Sequence, residues 1–148
     1  VKDGVVVVRD DKLDKPFNFS FKFDYPIEST TDKIFIHPFC NLSISDNPFK
    51  QNMRSLPVDL VYLKGEIYNS KIIIPKGYKI EHVPENVAIN DNLISIIYSV
   101  QQDQNEINIK GSYLLKKNIY PAQEYINLKE SYEKVIKHLS DMIILVKE

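Results

Sequence analysis

The sequence predicts an all-β fold: an antiparallel β-sandwich, jelly-roll-like or immunoglobulin-like, with one α-helix near its C-terminus. Three observations predict it. Short apolar runs with a period of two recur along the chain, separated by turn-forming residues. No helical period interleaves with them before Pro121, which favours antiparallel sheets over βαβ units. From Pro121 to Ser140 the apolar spacing changes to three and four, which is one face of an amphipathic helix.

The elements follow in order. Val5–Val8 is the first strand candidate. In "FNFSFKFDY", Phe17, Phe19, Phe21, Phe23 and Tyr25 alternate with Asn18, Ser20, Lys22 and Asp24. Successive strand side chains point to opposite faces, so this segment reads as a half-buried strand with an aromatic face. Strands are then expected at Ile34–Phe39, Val58–Leu63, Ile67–Ile74, Leu93–Val100 and Ile107–Leu115. Turns are expected at Asp46-Asn47-Pro48, Pro75-Lys76-Gly77, Asn90-Asp91-Asn92 and Asp103-Gln104-Asn105. Pro75 and Gly77 suit the second and fourth positions of a type I turn.

The helix is expected over about residues 121–140. Tyr125, Leu128, Tyr132, Val135, Ile136 and Leu139 form its inner face. Pro121 suits a first helical turn, and Glu124, Lys137 and His138 complement the helix dipole. Glu130–Lys134 and Glu133–Lys137 are favourable pairs four residues apart. The "MIILV" of residues 142–146 is expected to pair at a sheet edge and tie the helix to the core.

A chain of 148 residues suits one domain over 1–148 and buries about 70% of its unfolded surface without disulfide or metal staples. Lys+Arg is 19 and Asp+Glu is 20, so the net charge of −1 gives no electrostatic footprint for nucleic acid or an anionic membrane. No apolar run approaches the ~20 residues of a membrane-spanning helix. The chain opens at Val1 without Met and reads as a piece of a longer protein.

Chemical motifs are few. "IHPFCN" holds the single cysteine, Cys40, three residues from His37. A catalytic thiol needs a helix N-terminus or a close imidazole. On an ideal strand these two positions face opposite ways, so Cys40 reads as a buried residue at a strand end. Ser131-Tyr132-Glu133-Lys134 matches S-x-x-K and Ser45-Asp46-Asn47 matches S-D-N. They stand in the wrong order without K-T-G, and Ser131 reads as solvated among charges. His37, His82 and His138 are scattered without metal-ligand spacing. Asp10-Asp11-Lys12-Leu13-Asp14 lacks the Gly and distal Glu of a calcium loop. Lys116-Lys117 is too small a basic cluster for nucleic acid, and no glycine-rich loop cradles phosphate. No catalytic residue, metal ligand or cofactor is expected.

The segment "KIFIHPFCNLSISDNPFKQNMRSLPVDLVYLKGEIYNSKIIIPKGYKIEHVPENV" is similar to the C-terminal β-domain of bacterial, Bacteroidota-type transglutaminase-like proteins. The shared features are Pro38-Phe39, Asn47-Pro48-Phe49, Pro57-Val58-Asp59, the block with Pro75, Gly77, Tyr78 and Pro84, and Pro121 with Tyr125. These are turn, core and helix-start residues. The resemblance implies a non-catalytic accessory domain whose partner is an upstream transglutaminase-like core carrying the Cys, His and Asp. It also implies a periplasmic or secreted location. The alternative is a carbohydrate-binding module, drawing on nine Tyr and seven Phe but no Trp. A third reading is a small hydrolase using Cys40.

Overall fold

The computed structural model describes residues 7–9, 18–20 and 23–148. Its strands are β1 (Val7–Arg9), β2 (Asn18–Ser20), β3 (Glu28–Ser29), β4 (Lys33–Ile36), β5 (Val58–Asp59), β6 (Gly65–Ile73), β7 (Tyr78–His82), β8 (Val87–Asn90), β9 (Ile94–Asp103), β10 (Glu106–Leu115), β11 (Ile119–Tyr120) and β12 (Ile143–Lys147). A 3-10 turn at Ala122–Glu124 leads into the helix α1 (Tyr125–Ser140).

Two four-stranded sheets, ordered β6-β10-β9-β8 and β3-β4-β12-β7, are antiparallel throughout. The all-β sandwich with one C-terminal helix is therefore the fold. Two small ribbons, β1-β2 and β5-β11, complete the pairing.

Register decides which side chains meet. Ile96 lies opposite Tyr113 and Ile89, and Tyr98 opposite Gly111 and Val87. Ile94, Ile96, Tyr98, Ile107, Ile109, Tyr113 and Leu115 thus share one face and are buried. Ile143 and Leu145 of β12 stand opposite Ile36 and Ile34 on the other sheet and are wholly buried. Both inner faces join α1, Phe39 and Phe49 in one apolar cluster.

The helix packs through Tyr125, Leu128, Ser131, Tyr132, Val135 and Leu139. The long connection between β4 and β5 packs against it as well. There Phe49 meets the rings of Tyr125 and Tyr132 edge-on at 6.1 and 5.4 Å. Asn47 clips this connection to the helix: its Nδ2 donates to the Lys129 carbonyl at 3.0 Å while its Oδ1 accepts from Phe49 N–H at 2.9 Å. Gly111 has no side chain because none fits. A Cβ there would lie 2.6 Å from Leu139 Cδ2 and 3.0 Å from Phe39 Cζ.

Several expectations are corrected. The final strand is Ile143–Lys147, and it lies between β4 and β7 rather than at an edge. Two neighbours pair with its edges, and Ile143 and Leu145 on its inner face are buried in the apolar core. The expected strand Val58–Leu63 stops at Asp59, whose Oδ1 accepts the Val61 N–H at 2.7 Å and turns the chain, leaving Val61 at φ +66°. The expected strand Ile34–Phe39 ends at Ile36, ahead of Pro38, in a turn closed by Leu42 N–H to the Phe39 carbonyl at 2.8 Å. Gly77 (φ +81°) occupies the third position of a turn closed by Tyr78 N–H and the Pro75 carbonyl, as in a type II turn, not the fourth of a type I. Pro121 sits one residue before the 3-10 turn. Ser131 faces the core, not solvent. Of the aromatic run at 17–25, residues 18–20 are strand. Phe23, Asp24 and Tyr25 lie outside regular structure, with the rings of Phe23 and Tyr25 edge-on at 6.3 Å, and Phe17, Phe21 and Lys22 fall outside the described residues, as does Asp10–Asp14.

Candidate functional site

The structure brings together two of the scattered histidines. β7 ends at His82, which pairs across to Ile144 of β12. α1 ends at Ser140, and extended Asp141 (ψ 139°) carries the chain into β12. The end of β7, the last helical turn and Met142 therefore line one groove of about 510 Å³, together with Glu85 and His138. His82 Nε2 lies 3.7 Å from Asp141 Oδ1, with both side chains nearly half exposed.

Burial, and then the neighbouring Lys137 ammonium, push the His138 pKa below its ordinary value, while Asp141 and Glu85 oppose the shift. Among the described residues no three His, Cys, Asp or Glu side chains stand in an arrangement that could hold a metal ion. The groove escaped the sequence reading because Tyr78–His82 was not among its strands, and only the β7–β12 pairing puts His82 beside the helix end.

The outer face of the β6-β10-β9-β8 sheet forms a shallow surface of about 390 Å³ lined by Asn69, Lys71, Ser99, Gln101, Asn108 and Lys110. Lys71 Nζ binds Glu106 Oε2 at 2.6 Å, and Asn108 Nδ2 donates to Glu106 Oε1 at 3.0 Å. Those two contacts hold the Glu106 carboxyl below the usual carboxylate range. A carbohydrate-binding face needs flat aromatic rings, and this surface has none among its lining residues. The tyrosines are largely committed to the core instead. Tyr98, Tyr120, Tyr125 and Tyr132 are among the largest fully buried side chains. Burial pushes the Tyr98 and Tyr113 hydroxyls upward in pKa, and neither makes a well-formed hydrogen bond. Glu66 accepts from the Tyr68 hydroxyl, which adds to the burial that raises Tyr68.

The remaining motifs resolve into structural parts. Cys40 lies in the turn after β4 at φ +51°, and its N–H donates to the His37 carbonyl at 3.1 Å. It is partly exposed, not buried as expected from a strand end, because the strand stops short of it. His37 lines a shallow groove with Tyr25, Glu28, Phe35 and Asn41. Ser131 points inward and Lys134 outward, so S-x-x-K forms no couple. Asp46 pairs with Lys50, and Asn47 is the helix clip. Lys117 binds Glu124 at 2.7 Å, and Lys116 donates to the Asp91 carbonyl.

One stretch of the chain, on either side of β5, stands out for exposure rather than chemistry. Met53, Leu56, Val61, Tyr62 and Leu63 each expose more than half of their surface. Val61 is 80% exposed and is held in the left-handed region, which a β-branched residue rarely occupies.

Comparisons with known proteins agree with this architecture. No curated protein matches the chain. A crystal structure of a putative protease from Parabacteroides distasonis is similar at TM-score 0.63 and 14% identity, over 80% of this chain and 24% of that one. At that identity the likeness is one of fold, and this chain spans about a quarter of that protein's length. A family model for a domain of unknown function with solved structure, DUF3858, matches residues 32–145, which hold the helix and, apart from β3 and the last two residues of β12, the strands of both main sheets. The chain belongs to the DUF3858 family.

Proposed function

We propose that the chain is a non-catalytic accessory domain: a single β-sandwich that closes the C-terminal end of a longer transglutaminase- or protease-like protein and packs against its catalytic core. The observation that carries this reading is the exposed apolar segment between residues 53 and 63. Met53 and Leu56 before β5, and Val61, Tyr62 and Leu63 after it, concentrate large apolar surface on the two connections that flank this short strand, and such surface on a soluble domain marks an interaction site. Holding Val61 at φ +66° costs about 1–3 kcal/mol, an expense that presents its side chain outward. The resemblance to transglutaminase-like proteins and the match to a quarter of a longer candidate protease support the same context. In that context the protein is periplasmic or secreted.

The experiment is hydrogen exchange on the isolated chain and on the longer protein encoded by its reading frame. Amides of residues 59–63 exchange more slowly in the longer protein. Equal exchange in both, or a reading frame with no catalytic core beside this domain, overturns the proposal.

A further inference from the structure

Among the described residues the two four-stranded sheets present four edges, and three of them are blunted. β3 has two residues and β8 four, and β7 has five with Lys79 and Glu81 exposed on it. Short or charged edges discourage pairing with other chains. β6 is different. It is the outermost strand of its sheet, nine residues long, regular from Gly65 to Ile73, and without proline. Among the described residues no strand pairs with its outer edge. Its lone lysine, Lys71, is tied to Glu106 of β10.

We propose that β6 pairs antiparallel with β6 of a second copy of this chain, about a two-fold axis at Ser70. A two-fold perpendicular to the sheet keeps faces together, so only registers that oppose residues of like parity are allowed. The axis at Ser70 opposes Ile67 to Ile73 of the copy, Tyr68 to Ile72 and Asn69 to Lys71. Ile67 and Ile73 are 68% and 61% exposed, and this register covers both on one face, twice over. An axis at Asn69 would set Ile67 against Lys71, and an axis at Lys71 would oppose two ammonium groups. Cross-strand apolar pairs favour the first register and like charges disfavour the last. Pro75, opposite Gly65, has no N–H and ends the ladder.

Sedimentation equilibrium over a wide concentration range tests this. The wild type forms a reversible dimer. Ile67→Lys and Ile73→Lys each weaken it about tenfold or more, because symmetry uses each position twice. Ile97→Lys, on the same face but two strands inward, leaves it intact. A monomer at every concentration, a dimer untouched by both edge variants, or one lost equally on Ile97→Lys overturns the proposal. A cross-link fixes the register independently of any loss of folding. On a Cys40→Ser background, Ile67→Cys combined with Ile73→Cys gives a covalent dimer under mild oxidation, while neither alone does. Within one strand the two positions are about 20 Å apart, too far to bridge. Absence of that cross-link, or cross-linking by a single variant, refutes the register.

Discussion

Adding one methyl group at Gly111 should destabilise the sandwich. The new Cβ would lie 2.6 Å from Leu139 Cδ2 and about 3 Å from two atoms of the Phe39 ring. Carbon contacts are comfortable at about 3.5–4.0 Å, so Leu139 must retreat by roughly 1 Å. Leu139 is 2% exposed in a close-packed core and has little room to do so. Overpacking of this kind costs about 1–3 kcal/mol. Replacing glycine inside a strand returns about 0.5–1 kcal/mol of backbone entropy. The net expectation for Gly111→Ala is about 1–2 kcal/mol lost, or a fall in Tm of about 3–6 °C for a chain of this size. Urea unfolding with a double-mutant cycle against Leu139→Ala tests the cause. Shortening Leu139 empties the space the methyl needs, so the two changes should be less than additive by more than about 0.5 kcal/mol. An unchanged Tm for Gly111→Ala, or strict additivity, would refute the contact.

Three further outcomes follow from the same geometry. Tyr120 is fully buried, donates to the Leu93 carbonyl at 2.7 Å and accepts the Lys117 N–H at 3.2 Å, so Tyr120→Phe should lower the stability by about 1–2 kcal/mol, read as a lower urea midpoint at an unchanged slope. Truncation after Asn118 removes Tyr125, Leu128, Tyr132, Val135, Leu139, Ile143 and Leu145, all at most 2% exposed; at about 1.5–3 kcal/mol each they match or exceed a total stability of about 5–15 kcal/mol, so calorimetry should show no cooperative transition, and a soluble fragment with the parent Tm would refute the packing. Because burial depresses the His138 pKa, the folded chain binds fewer protons than the unfolded chain below about pH 6.5; stability is complete above that pH and is lost as pH falls through the folded value, and His138→Asn should flatten that slope in pH-dependent unfolding.

The sequence made the fold legible where one face is buried and the other is wet. β10 alternates in burial along its length and β9 from Ile94 to Ser99, so most of their inner residues could be read from period alone. The α1 stripe was equally clear, and Ile136 is half-buried against the core as its spacing implied. Ser131 was misread because a small hydroxyl on the inner face carries no hydropathy signal. β7 and β8 alternate in burial but are short, with only Tyr78 and Ile80 or Val87 and Ile89 on the inner face, too few apolar positions to mark a strand by period. The short β5 was overextended, since "VDLVYL" is apolar enough for a strand and only the Asp59 side chain turns it. β12 reads like any apolar strand, and its central position depends on pairing with β4 and β7, which no local pattern encodes. The groove holding His82 and His138 is invisible for the same reason.

The central claim is the proposal of a non-catalytic accessory domain that serves through its surface. The most direct measurement is turnover by the purified chain at high concentration, on casein and on a glutamine donor with an amine acceptor. The account predicts rates equal to buffer, and equal for Cys40→Ser and His82→Ala. Turnover above buffer that either substitution abolishes would contradict it.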